Sequence, residues 1–158
     1  MLIPTLLSTL NNVITNSADV IAYCEFKDEY EMKFMFLSNY RVFGPIDLHE
    51  GGYVVVRFTL RYYGPDESIR LEKVFVAAAQ PNGNIVEYEE KSLSGKIMYR
   101  NSTVNYSMEI DINQAGEWTF WPGFVYTSKR YGTVKSEQPW VKCTVKAAPY
   151  TPTPTPSP

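Results

Sequence analysis

Between residues 103 and 112 the side chains alternate almost without interruption. Val104, Tyr106, Met108, Ile110 and Ile112 are apolar, and Asn105, Ser107, Glu109 and Asp111 between them are polar. A period of two puts each set on its own face of an extended chain, so this stretch predicts a half-buried strand with Asn105 facing solvent. The same period governs residues 54–62, where Val54, Val56, Phe58, Leu60 and Tyr62 oppose Arg57, Thr59 and Arg61. Near the start, Val20, Ala22, Cys24 and Phe26 share one face, and Met32, Phe34 and Phe36 share another. The unbroken apolar run Val74-Phe75-Val76-Ala77 predicts burial on both faces of a strand within 69–79. A shorter strand at 85–88 and two more around 118–126 and 140–145 complete the set.

Turn chemistry separates these stretches. Lys27-Asp28-Glu29 reads as a charged hairpin connection, Gly44-Pro45 as a break, and Gly51-Gly52 and Gly64-Pro65-Asp66 as turns. Pro81-Asn82-Gly83-Asn84 supplies the residues that accept positive φ in tight hairpins. With 12 Tyr, 8 Phe and 3 Trp the composition favours strands further. Seven to nine short strands, with a turn about every ten residues, predict an all-β fold: an antiparallel, immunoglobulin-like β-sandwich.

One segment keeps a different period. Ile3, Leu6, Leu7, Leu10, Val13 and Ile14 fall on one face of a helix, with Pro4 in its first turn. This gives a short N-terminal amphipathic helix over 1–18, a sandwich domain over 19–149 and a Thr/Pro-rich linker or stalk over 150–158. A sharper reading of the helical segment is the end of a membrane anchor. No run of about 18 apolar residues is present, so no helical membrane span is expected in this sequence.

The stalk, Thr151-Pro152-Thr153-Pro154-Thr155-Pro156-Ser157-Pro158, cannot build a core, because proline lacks an amide donor and Thr and Ser bury little apolar area. Such tracts are semi-rigid spacers and acceptors of O-linked sugars, which points to an extracellular or cell-surface location. No basic leader precedes the apolar residues at the start, so the sequence reads as a piece of a larger exported protein. Two sequons, Asn101-Ser102-Thr103 and Asn105-Tyr106-Ser107, agree with that compartment and make Asn101 and Asn105 candidates for N-glycosylation. Cys24 and Cys143 lie near opposite ends of the domain. In an oxidising compartment a bridge between them would tie the first strand to the last; reduced, they would serve as small buried apolar residues.

The runs Leu71-Glu72-Lys73-Val74-Phe75-Val76-Ala77, Pro81-Asn82-Gly83 and Ala115-Gly116-Glu117-Trp118-Thr119-Phe120-Trp121-Pro122 together resemble immunoglobulin-like and CARDB-like modules of bacterial and archaeal surface proteins. In that kind of module a strand ends in a Pro-x-Gly turn and an Ala-Gly-x-Trp-Thr strand follows a polar loop. The resemblance spans residues 42–147 and implies adhesion, envelope structure or spacing, with no transferable active site.

Chemistry finds little foothold. His49 is the only histidine, so any Ser/His or Cys/His pair would have to use it, but its turn-like stretch makes it a solvated loop residue; no zinc set can be assembled from it and two distant cysteines, and no catalytic residue, metal ligand or cofactor is expected. Glu29/Glu31 and Glu89/Glu90 are paired carboxylates that read as solubilising faces. The net charge of -2, with Lys and Arg scattered singly, gives no basis for binding nucleic acid. If Trp118 and Phe120 enter the core, Trp121 points outward, and Trp121, Tyr126, Tyr131 and Trp140 form a possible aromatic binding surface. The sequence thus predicts a non-catalytic extracellular module with a structural or adhesive role, whose partner is an envelope or cell-surface protein or a glycan. The alternative is a carbohydrate-binding accessory module of a secreted polysaccharide-degrading enzyme.

Overall fold

The structure is a computed structural model that describes residues 20–46, 52–137 and 139–149. The expected N-terminal helix and the Thr/Pro stalk lie outside those residues, as does His49.

Among the described residues eleven strands pack as two antiparallel sheets: β1 (Val20–Phe26), β2 (Tyr30–Met32), β3 (Met35–Ile46), β4 (Tyr53–Tyr62), β5 (Ser68–Ala79), β6 (Ile85–Glu89), β7 (Ile97–Tyr99), β8 (Thr103–Asp111), β9 (Gly116–Ser128), β10 (Gly132–Lys135) and β11 (Cys143–Ala147). The first sheet runs β1-β3-β4-β8, with β2 beside β1 along the same edge of β3; the second runs β10-β9-β5-β6, with β11 also on β9 and β7 also on β5. Eleven exceeds the expected seven to nine because β2, β7 and β10 are only three or four residues long. A period of two cannot show itself over so short a span. A 3-10 turn, Lys91–Leu93, is capped by Glu90, whose carboxylate accepts from the Ser92 amide and hydroxyl.

Where the alternation is unbroken, the burial follows it. Val54, Val56, Phe58, Leu60 and Tyr62 of β4 face the core, as do Val104, Tyr106 and Ile110 of β8, and β5 is buried on both faces from Val74 to Ala78. β3 departs from expectation. Lys33 and Phe34 both take positive φ, 51° and 65°, and form the two-residue turn of the β2–β3 hairpin. The turn resets the phase, so Met35 and Leu37 enter the core instead of Phe34 and Phe36. At Asn39, φ 54°, the register of β3 against β4 shifts between Ser38 and Arg41. This bulge resets the phase again and turns Tyr40 and Val42 inward.

Two expected breaks differ from expectation, one as a connection between strands and one inside β3. Lys27-Asp28-Glu29 is no hairpin, because β1 and β2 pair with successive parts of β3. Gly44-Pro45 lies within β3, opposite Ala22 and Ile21. Pro45 stands past the last β3–β4 partner pair, Phe43 and Val55, where one ladder has already ended. Gly44 has φ 137°, and a Cβ there would lie 3.3 Å from the Tyr53 carbonyl oxygen.

Tyrosines tie the sheets together across the core. Tyr40 of β3 donates to the Phe120 carbonyl of β9 (2.9 Å), Tyr106 of β8 to the Tyr88 carbonyl of β6 (2.7 Å), and Tyr126 of β9 to the Lys33 carbonyl (2.8 Å). Each ring fills apolar space while its hydroxyl satisfies a carbonyl of the opposite sheet. Burial pushes all three phenols above the usual tyrosine range. At one end, the buried Asp66 carboxylate accepts from the Ser128 hydroxyl and joins the β4–β5 bend to the β9–β10 turn. That hydrogen bond, opposed by burial, holds its carboxyl below the ordinary value.

Candidate functional site

The structure disperses the expected aromatic surface. In β9 the alternation runs unbroken, so Trp118, Phe120, Phe124 and Tyr126 all point inward, and Trp121 alone of the expected set on this strand faces out, half-buried. Tyr126, 1% exposed, is a correction: it shares the parity of Trp118 and offers no surface. Trp140 precedes β11, packs edge-on against Phe124 at 5.9 Å and donates its indole N–H to the Pro122 carbonyl. Tyr131 is 52% exposed in the turn after β9 and stacks on Phe34 at 5.5 Å. Phe34 in turn meets Tyr63, which lies 4.4 Å from Phe36, so Tyr131 belongs to a cluster at one end of the sandwich. There burial, and next a hydrogen bond to Glu31, push the Tyr63 phenol up to about 12.

Cys24 of β1 and Cys143 of β11 are joined by a disulfide, with Cα atoms 6.1 Å apart across 119 residues of sequence. It connects an edge strand of one sheet to an edge strand of the other. Asn101 occupies a turn with φ 70°, and Asn105 faces outward from β8; both are exposed. Asn105 accepts from the Thr59 hydroxyl at 2.8 Å.

The expected carboxylate pairs have structural work to do. Glu29 pairs with Arg61 at 3.4 Å, and Glu90 caps the 3-10 turn. Among the described residues no group of three or more His, Cys, Asp or Glu could hold a metal ion, and no helix is long and apolar enough to cross a membrane.

A groove of about 480 Å³ opens on the outer face of the first sheet, beside the Asn39 bulge. Asn39, Thr59, Asn105 and Ser107 line it with amides and hydroxyls, and Arg41 and Arg57 line it with guanidinium groups. The two arginines are direct cross-strand partners. Both lie over the Phe43 ring, at 4.6 and 5.4 Å from its centroid, and Arg57 Nε also donates to Ser107 Oγ at 3.2 Å. Such a surface can accept an anion and hydrogen-bond a polar ligand. Sequence reasoning placed Arg57 outward but missed the pair, because the bulge that sets Arg41 opposite Arg57 leaves no periodic trace. The one available signal was Asn39, a residue that tolerates positive φ.

No protein-family model matches this sequence, and no curated protein matches it. Among solved structures, the X-ray structure of Northeast Structural Genomics Consortium target SoR45 aligns over 86% of this chain and 91% of its own, at 10% identity and a TM-score of 0.45.

Proposed function

We propose that the chain is a non-catalytic, immunoglobulin-like β-sandwich module of an extracellular, cell-surface or envelope protein, with structural and adhesive work. The observation that carries this reading is the Cys24–Cys143 disulfide between edge strands of opposite sheets. Cystines of this kind persist in oxidising compartments and are rare where thiols are kept reduced. The Thr-Pro composition of residues 151–158 and the exposure of Asn101 and Asn105 support the same compartment. The resemblance to CARDB-like surface modules favours adhesion or spacing over chemistry. The test is to label intact source cells with antibody to the domain and to count free thiols in the purified protein. Surface labelling with no free thiol supports the reading; an intracellular protein with two free thiols refutes it.

A second reading, a carbohydrate-binding accessory module of a secreted polysaccharide-degrading enzyme, is favoured by the groove. Its amide and hydroxyl lining matches the hydrogen-bonding habit of sugar hydroxyls. That support comes from Asn39, Thr59, Asn105 and Ser107 rather than from the dispersed aromatic residues.

A further inference from the structure

The geometry points to the groove on the outer face of the first sheet as a binding site for a saccharide bearing an oxyanion, a uronate carboxylate or a sulfate ester, gripped by Arg41 and Arg57. This rests on the carbohydrate-binding reading and deepens it by naming the ligand's charge and the side chains that read it.

Two observations carry it. The first is the opposition of Arg41 and Arg57, only partly offset by Glu25, the cross-strand neighbour of Arg41 on β1. Like charges directly across an antiparallel pair repel and destabilise the sheet, yet among the described residues neither arginine forms a salt bridge. Arg61, Arg70, Lys73 and Arg130 each have a carboxylate within 4.0 Å. Phe43 beneath both guanidinium groups and Ser107 on Arg57 brace the pair, so little freedom is lost when an oxyanion enters the fork.

The second observation is the space beside the pair. A volume of about 480 Å³ is far larger than one oxyanion needs, and its walls carry groups that both donate and accept. Lys27 adds a third cation to the lining and Glu25 a single carboxylate, which leaves the groove positive in a chain whose net charge is -2. An isolated anion would use the arginines and leave Asn39, and the polar atoms of Thr59 and Asn105 not taken up by their mutual hydrogen bond, without a ligand. A sugar that carries the anion uses both.

The test is calorimetric titration of the full, oxidised 158-residue chain, confirmed by mass to carry no glycan at Asn105, with three probes. These are a galacturonic acid hexamer, a sulfated galactose hexamer and a neutral galactose hexamer. At least one anionic hexamer is expected to bind about tenfold more tightly than the neutral one, with a preference that weakens in added salt. Which anionic hexamer wins identifies the oxyanion. The double substitution Arg41→Gln with Arg57→Gln should abolish the preference, with an unchanged thermal midpoint confirming the fold. Ser107→Ala, which keeps both charges but releases Arg57, should weaken it. Equal binding of all three hexamers, or a preference that survives loss of both arginines, overturns the anionic site while leaving the carbohydrate reading intact. Binding of none overturns both.

Discussion

The outer faces of the two sheets are built from similar residues and treat them differently. On the second sheet, Lys73 pairs with Glu87 and lies over Phe75 at 4.9 Å, Arg70 approaches Glu72, and Thr127 donates to Glu72. Phe75 lies across Gly123, where an added Cβ would come within 2.2 Å of its ring. Thr119 and Thr144 hydrogen-bond across β9 and β11. Lys73, Arg70, Glu72, Glu87 and Phe75 thus have partners within the chain. On the first sheet, Arg41 and Arg57 stand opposite one another beside an open groove, with an aromatic ring, a serine and, across from Arg41 on β1, the single carboxylate of Glu25 around them. Paired charges on a sheet face serve stability, whereas two opposed arginines at an open groove have their best complement in something that binds.

Both faces depend on the disulfide, and its loss should produce the largest effect. Closing a loop of more than 100 residues is worth about 4–5 kcal/mol in the chain-entropy account. Cys24→Ser with Cys143→Ser should therefore lower urea-unfolding stability by about 3–5 kcal/mol. A loss below about 1 kcal/mol would show that the strand ladders alone hold the sheets together. Next in size, Gly123→Ala forces the Phe75 ring off the second sheet and should cost about 1–3 kcal/mol by chemical denaturation.

Tyr40→Phe removes one tie between the sheets and leaves the Phe120 carbonyl without that donor, a loss of about 1–2 kcal/mol at neutral pH. The same residue gives a pH signature. Its phenol stays protonated in the fold well above the ordinary tyrosine value of about 10, because burial disfavours the anion. The unfolded chain ionises first, so stability is fully present below pH 10 and falls as pH rises beyond it. Tyr40 alone sets a limiting slope of about 1.4 kcal/mol per pH unit. Alkaline unfolding curves of the Phe variant should lose that share of the slope; an unchanged slope would show that Tyr40 does not ionise on unfolding. The smallest effect belongs to the first sheet. Arg41→Gln gives up a contact with Phe43 and relieves repulsion from Arg57, so stability should move by no more than about 0.5 kcal/mol. A loss as large as that of Gly123→Ala would erase the contrast between the two faces.

What could be read from the chain follows where its period holds. β4 and β8 alternate without interruption, so Val54, Phe58, Val104 and Tyr106 were assignable to the core and Arg57 and Asn105 to solvent. The inward Trp118 and Phe120 followed from the same rule, and Tyr126 obeys it too, which is why it leaves the candidate surface. β3 was not legible. A two-residue turn built from Lys33 and Phe34 lacks the Asn-Gly signature of such turns, and the Asn39 bulge shifts phase in mid-strand. The candidate site inherits that illegibility. Its arginines are 16 residues apart in sequence and become opposed only through a register that the bulge decides.

The most direct measurement of the contrast is an amide and arginine-side-chain NMR titration of the oxidised protein with the galacturonic acid hexamer, with the sulfated hexamer titrated in parallel. For whichever oligomer binds, shifts should gather at Arg41, Arg57, Asn105 and Ser107, including the two arginine Nε–H signals, while Trp121, Thr119 and Lys73 on the second sheet stay still. Shifts centred on the second sheet, or at the Tyr131 and Phe34 end of the sandwich, would contradict the assignment of binding to the first sheet's outer face.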